Sequence, residues 1–169
     1  MAALMGAIAH AGGRVQHWRL ITLGTRAKGL AMRPTMSAEL SRRVMDAAVA
    51  AAAAVAVAVV TVDESGVLKE LRRMDGAPLI SVQTAVSKAY AAAAIGMPPD
   101  EFYTAIESDG AAVASFATRP GLALIGGVPV VADGQVAGAV GVAGAMTAAE
   151  DRRIAEAAIG RARRQGAGH

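Results

Sequence analysis

The chain has 169 residues, no cysteine, a net charge of +3 and a composition that is 54% hydrophobic but only 3% aromatic. That length holds about one domain whose core must be built from Ala, Val, Leu, Ile and Met; the missing cysteines exclude a disulfide framework, a thiolate metal site and a cysteine nucleophile, and make the cytoplasm the expected compartment. The charge is uneven: residues 1–36 carry five cations and no acid, the last nine residues carry three cations, and residues 37–160 set nine Lys and Arg against all 14 acids, so the folded unit is expected to be acidic and to offer no basic face for nucleic acid.

Residues 1–36 are read as a basic extension, either disordered or an ordered arm, with helix-like Ala2–Ala11 docking on a neighbouring subunit. Their lack of serine argues against a transit peptide, and Met32 and Met36 are candidate internal starts. The uncharged stretch 47–62 is too short and too rich in alanine for a membrane span. It divides instead into two elements. Ser37 caps a helix carrying Leu40, Val44, Ala47, Ala48 and Ala51 at helical spacing, and Val55–Val62 alternates β-branched residues as a buried strand does. Asp63–Gly66 supplies a turn, and a second strand runs from Val67 to Arg72.

Pro78 bars the helical region to the residue before it, so the next helix is expected from about Ser81 to Ile95, stopped by Gly96. Pro98–Glu107 opens a short helix with acids in its first turn, and residues 109–120 read as a loop. Three short apolar strands follow, Leu122–Ile125, Val128–Ala132 and Val136–Ala143, the last two joined by the hairpin signal Asp133–Gly134. Alternation on the last strand sets Val136, Gly138, Val140 and Val142 on one face and Ala137, Ala139, Gly141 and Ala143 on the other. The second face has almost no side chain, so a helix, a planar ligand or another subunit can approach its backbone closely. Thr147, with Glu150 three residues on, caps a final helix that buries Ile154, Ala158 and Ile159 and reaches Gly160. The order is helix, two strands, two helices, three strands, helix: an α+β fold with a five-stranded, mainly antiparallel sheet spanning residues 37–160, followed by a basic tail over 161–169.

Several strings occurring in this order resemble the GlcG/HbpS-like family, also called the haem-degrading domain family and related to the PduO carboxy-terminal domain. They are Arg73–Ala77, Ser87-Lys88-Ala89, Gly126–Val130, Asp133-Gly134, Gly138–Val142 and Glu150-Asp151. The resemblance implies a PAS- or profilin-like fold, homo-oligomers that are often octamers, and links to haem binding, redox or two-component sensing and small-molecule catabolism. Haem needs an axial His, Met, Cys or Tyr. The three histidines, His10, His17 and His169, lie outside the matching segment, which leaves Tyr90, Met74 and Met146 as substitutes, and Ala143 stands where the family usually has a small hydroxyl residue.

For an enzyme, Arg73 is a candidate carboxylate clamp, Lys88 a point charge, and Asp75 and Asp151 are candidate proton carriers. Gly126, Gly127 and Gly141 are candidate backbone donors to an oxyanion or enolate, with Met74, Gly76 and Tyr90 completing a ligand-binding set. Hydrolysis, deamination or tautomerisation of a small carboxylate suits these groups. Against it stand an Arg73–Asp75 structural ion pair, a solvated Lys88 and glycines that only turn or pack. No metal spacing, catalytic triad or phosphate loop is present. Three readings therefore remain: a homo-oligomer that binds or transforms a small carboxylate, a haem-binding or redox-sensor accessory protein, and an oligomeric subunit without its own site.

Overall fold

The computed structural model describes residues 33–123 and 125–166. Its elements are α1 (Ala38–Ala52), β1 (Ala58–Asp63), β2 (Leu68–Arg73), α2 (Leu79–Ile95), α3 (Pro99–Ile106), α4 (Gly110–Ala117), β3 (Gly127–Ala132), β4 (Gln135–Ala143) and α5 (Ala148–Gly166). The readings of residues 1–32 as a disordered segment or a docking arm, and of 167–169 as part of a tail, lie outside the described residues.

The four strands form one antiparallel sheet in the order β2-β1-β4-β3. The two hairpins β1–β2 and β3–β4 meet along the β1–β4 seam, which puts β1 and β4 at the centre. The first hairpin turns because the Asp63 carboxylate accepts from the N–H groups of Ser65 and Val67 and Gly66 adopts φ +77. In the second, Asp133 and Gly134 both have positive φ, as a two-residue hairpin requires.

The sheet has two different faces. Val57 and Val59 from the β1 side, Val128 and Val130 of β3, and Val140 and Val142 of β4 interlock with Val44, Met45 and Ala48 of α1 and with Ile154, Ala155 and Ala158 of α5. Ser37 does cap α1, its hydroxyl accepting from the Leu40 N–H at 3.1 Å. Met36 is fully buried in the same cluster. On the opposite face Ala139 and Ala143 of β4 and Ala58, Val60 and Val62 of β1 meet Ala85, Ala89, Ala92 and Ala93 of α2. The expected alternation on β4 is thus observed, and a helix covers its small-residue face. The approach is so close that a Cβ on Gly141 would lie 2.0 Å from the Ala85 carbonyl oxygen, and one on Gly127 2.1 Å from that of Lys88.

Four expectations change. The sheet has four strands among the described residues, not five, because Leu122, Ala123 and Ile125 pair with no strand. The chain there descends from α4 through Gly121 and Gly126, both at positive φ, and Leu122 packs beside α2 instead. The span 109–120 contains a helix, since Asp109 caps α4 by accepting from the N–H groups of Ala111 and Ala112. The element order is therefore α-β-β-α-α-α-β-β-α. Finally, α5 passes through Gly160 to Gly166 because its buried stripe continues to Ala162 and Arg163 donates to the Val131 carbonyl. No helix among the described residues is long and apolar enough to cross a membrane.

The contact between α2 and the sheet sets the first testable outcome. Gly141→Ala lowers stability by about 3 kcal/mol or more, because backbone rather than a flexible side chain must yield; Gly134→Ala, whose added Cβ meets nothing within 4 Å, costs less, about 1–2 kcal/mol from its positive φ alone. Urea denaturation of both variants measures the difference.

Candidate functional site

Seating α2 on Gly127 and Gly141 carries Lys88 beneath the helix, where its side chain is only 2% exposed. An ammonium group buried this far needs a counter-charge and acceptors. The Lys88 Nζ donates to Asp151 Oδ2 at 2.7 Å and to the Val142 carbonyl at 3.0 Å. The other Asp151 oxygen, Oδ1, accepts from the Ala145 N–H at 3.0 Å. This set ties α2, the end of β4, the following turn and the first turn of α5 to one ion pair. Of the three N–H donors of an ammonium, one has no protein partner among the described residues.

A cavity of about 390 Å³ opens beside this pair, lined by Lys88, Asp151, Pro78, Ile80, Ser81, Thr84, Ile125 and residues 143–148. Gly126 leaves room on the same side: at φ +65 it is buried, and a Cβ there would sit 3.2 Å from Lys88 Nζ and 3.3 Å from the Ala148 carbonyl oxygen. The cavity also receives the start of α5. There the Glu150 N–H is taken by the Thr147 hydroxyl and the Asp151 N–H by the Thr147 carbonyl, which leaves the N–H groups of Ala148 and Ala149 without intrahelical acceptors. An ammonium donor and a helix N-terminus thus border one small, partly apolar space, an arrangement suited to an anionic oxygen.

A second group of charges holds this end of α5 in place. Arg152 donates to Glu101 and Glu156, each at 2.7 Å, and to Asp100, joining α5 to α3. The hydrogen bond to Glu101 and then that to Glu156 raise the guanidinium pKa above its ordinary value.

Of the four candidate catalytic residues, the structure brings Lys88 and Asp151 together. Arg73 and Asp75 lie elsewhere, at the exit of β2. Arg73 is exposed, forms no ion pair with Asp75 among the described residues, and donates through Nε at 2.9 Å and through its terminal Nη2 to the Ala77 carbonyl. It closes the turn that delivers Pro78 to the cavity wall. Met74 packs against the α1 and α5 core, and Gly76 takes φ +83 in that turn. Among the ligand-binding candidates, Gly126 flanks Lys88, whereas Gly127 and Gly141 lie under α2. Tyr90 lines a different cavity. Thr147, Ser81 and Thr84 line the site without having been candidates; Thr147 and Ser81 showed only their helix-start signal, and Thr84 gave none.

The family described as haem degrading protein HbpS-like matches residues 36–160. The chain belongs to the HbpS-like family. An uncharacterised 15.0 kDa protein from the dhaT-dhaS intergenic region of Citrobacter freundii is 34% identical to this HbpS-like chain over 100 residues, 58% of this chain and 70% of that protein. Streptomyces reticuli HbpS, crystallised as a double mutant, superposes with a TM-score of 0.70 at 30% identity, covering 81% of this chain and 94% of the other. A structure of the PduOC–haem complex superposes with a TM-score of 0.67 at 26% identity, covering 75% and 94%.

A buried haem would need axial ligands from this HbpS-like domain. The described residues include no histidine or cysteine, Lys88 is engaged by Asp151, Met146 at the Lys88 cavity is 94% exposed rather than turned into it, and Tyr90 lines the other cavity. The Lys88 cavity does not fit a buried haem held by axial ligands.

Breaking the ion pair exposes its energetics. Asp151→Asn leaves a buried ammonium without its counter-charge and costs about 3–5 kcal/mol, while Lys88→Met/Asp151→Leu, which replaces both charges by apolar groups, recovers most of that loss. Chemical denaturation of the two variants distinguishes the outcomes.

Proposed function

We propose that this HbpS-like protein binds a small carboxylate in the Lys88 cavity. The reading is carried by one observation: Lys88, with one N–H donor unmatched among the described residues, and the start of α5 line the same space, and Gly126 leaves the Lys88 Nζ uncrowded. Charge-assisted hydrogen bonds of this kind favour a carboxylate over a neutral ligand. The apolar wall of Pro78, Ile80 and Ile125 suits a short carbon chain. The same donors would stabilise an enolate or oxyanion forming at that point. Self-association is part of this reading, supported by the exposed Ile80 and Met146 that line the cavity and by the exposed Leu79 next to Ile80.

Haem binding is the second reading, favoured by the PduOC–haem complex and the family's description rather than by the cavity. In that case haem lies at the surface, with Met146, 94% exposed, as the axial candidate nearest Lys88 and Tyr90 as the other.

Calorimetric titration of the full chain with acetate and pyruvate tests the first reading. Saturable binding is expected, weakened about 10-fold or more in Lys88→Met/Asp151→Leu and by Gly126→Ala, and changed less than about threefold in Arg73→Ala. Binding that survives the double variant, or that collapses with Arg73, overturns it. A Soret band on haem titration that disappears in Met146→Ala or Tyr90→Phe establishes the second reading.

A further inference from the structure

A second cavity, of about 350 Å³, lies between the far end of α2 and the segment that follows α4. It shares no lining residue with the Lys88 cavity. Tyr90 follows Lys88 by two positions, a rotation of about 200° around a helix, so the two side chains leave α2 on opposite sides. Its walls are mixed, with Ile95, Pro120 and Leu122 beside two aromatic residues, Tyr90 and Phe116.

Both rings are fixed in position. Tyr90 lies against Gly66 of the first hairpin so closely that a Cβ there would come within 2.8 Å of its ring. Phe116 meets Phe102 edge to face, with ring centroids 4.9 Å apart and planes at 84°. Over the Phe116 ring lies the Arg119 guanidinium, 5.3 Å from the centroid. This cation–π contact draws the guanidinium to the cavity, and a guanidinium offers a planar fork for bidentate recognition of a carboxylate. Among the described residues no carboxylate pairs with Arg119, which is exposed at the rim of this cavity.

A cation without a carboxylate partner, at a cavity bounded by the rings of Tyr90 and Phe116, has the composition of a binding site for an acid with a flat apolar body. We propose that this cavity is a second ligand site that takes an aromatic monocarboxylate, its ring between Tyr90 and Phe116 and its carboxylate on Arg119. The assignment does not depend on the reading of the Lys88 cavity.

The test is a titration of the isotope-labelled full chain with phenylacetate, followed by two-dimensional NMR, with phenylacetamide as the uncharged comparison. Saturable shifts are expected at residues 90–95 and 116–122. Arg119→Gln weakens phenylacetate at least about 10-fold, phenylacetamide binds wild type no better than phenylacetate binds that variant, and Arg119→Lys, which keeps charge but loses the planar fork, falls between. Lys88→Met/Asp151→Leu changes the affinity less than about twofold, as expected for an independent site. Unchanged thermal melting of Arg119→Gln shows that the loss is not unfolding. No saturable binding, equal affinity in Arg119→Gln, or shifts centred on residues 143–151 overturns the proposal.

Discussion

The direct contact of α2 with the sheet backbone determines where nearly everything else lies. Gly127 and Gly141 have no side chain to hold the helix away, and most of the surrounding residues are alanines, so Ala85 and Lys88 place their carbonyls against the strands. A side chain of ordinary length at position 88 would then meet the sheet. Lysine instead reaches past it to Val142 and Asp151. The buried charge follows from the close packing, and the first turn of α5 follows from the buried charge, because the Asp151 that answers Lys88 also holds the Ala145 N–H.

Buried ion pairs are weak sources of net stability, since desolvation offsets most of the attraction. Their effect is on geometry. Here the pair fixes the register of two helices from opposite layers of the molecule, and Arg152 repeats the device at the surface by linking α5 to α3. A carboxylate bound in the cavity would meet groups already aligned, and little ordering would be left for the ligand to bring about.

Much of this was legible in the sequence, and the failures have physical causes. Ser37, Asp133-Gly134 and Thr147 announce element ends because capping and hairpin chemistry are local. The alternation of Val and Ala or Gly along β4 reveals both faces of the sheet for the same reason. The helix after Asp109 is hidden because Gly110–Ala117 carries neither charge nor a clear apolar stripe, and Leu122–Ile125 imitates a strand because a short apolar run says nothing about its partner. Lys88 and Asp151 were identifiable as candidates. That they form a pair was not, since 63 residues separate them and only the fold brings α5 across the sheet to α2. Arg73, the most conspicuous residue of its string, turned out to bond the backbone four residues on.

The unequal faces of the sheet have a consequence for how this chain can diverge. The valine and isoleucine layer beneath α1 and α5 can exchange volumes between neighbours, since side chains repack when total size is preserved. The layer beneath α2 has little such freedom: apart from Val60 and Val62 the sheet offers it alanine and glycine, alanine has nothing to shed but its methyl, and a gain at Gly127 or Gly141 strikes main chain. Sequence drift is therefore expected to collect on one side of the molecule while the other stays close to a single solution. Lys88 is anchored to the side that cannot drift, so the cavity beside it can acquire new rim residues without losing the position of its charge.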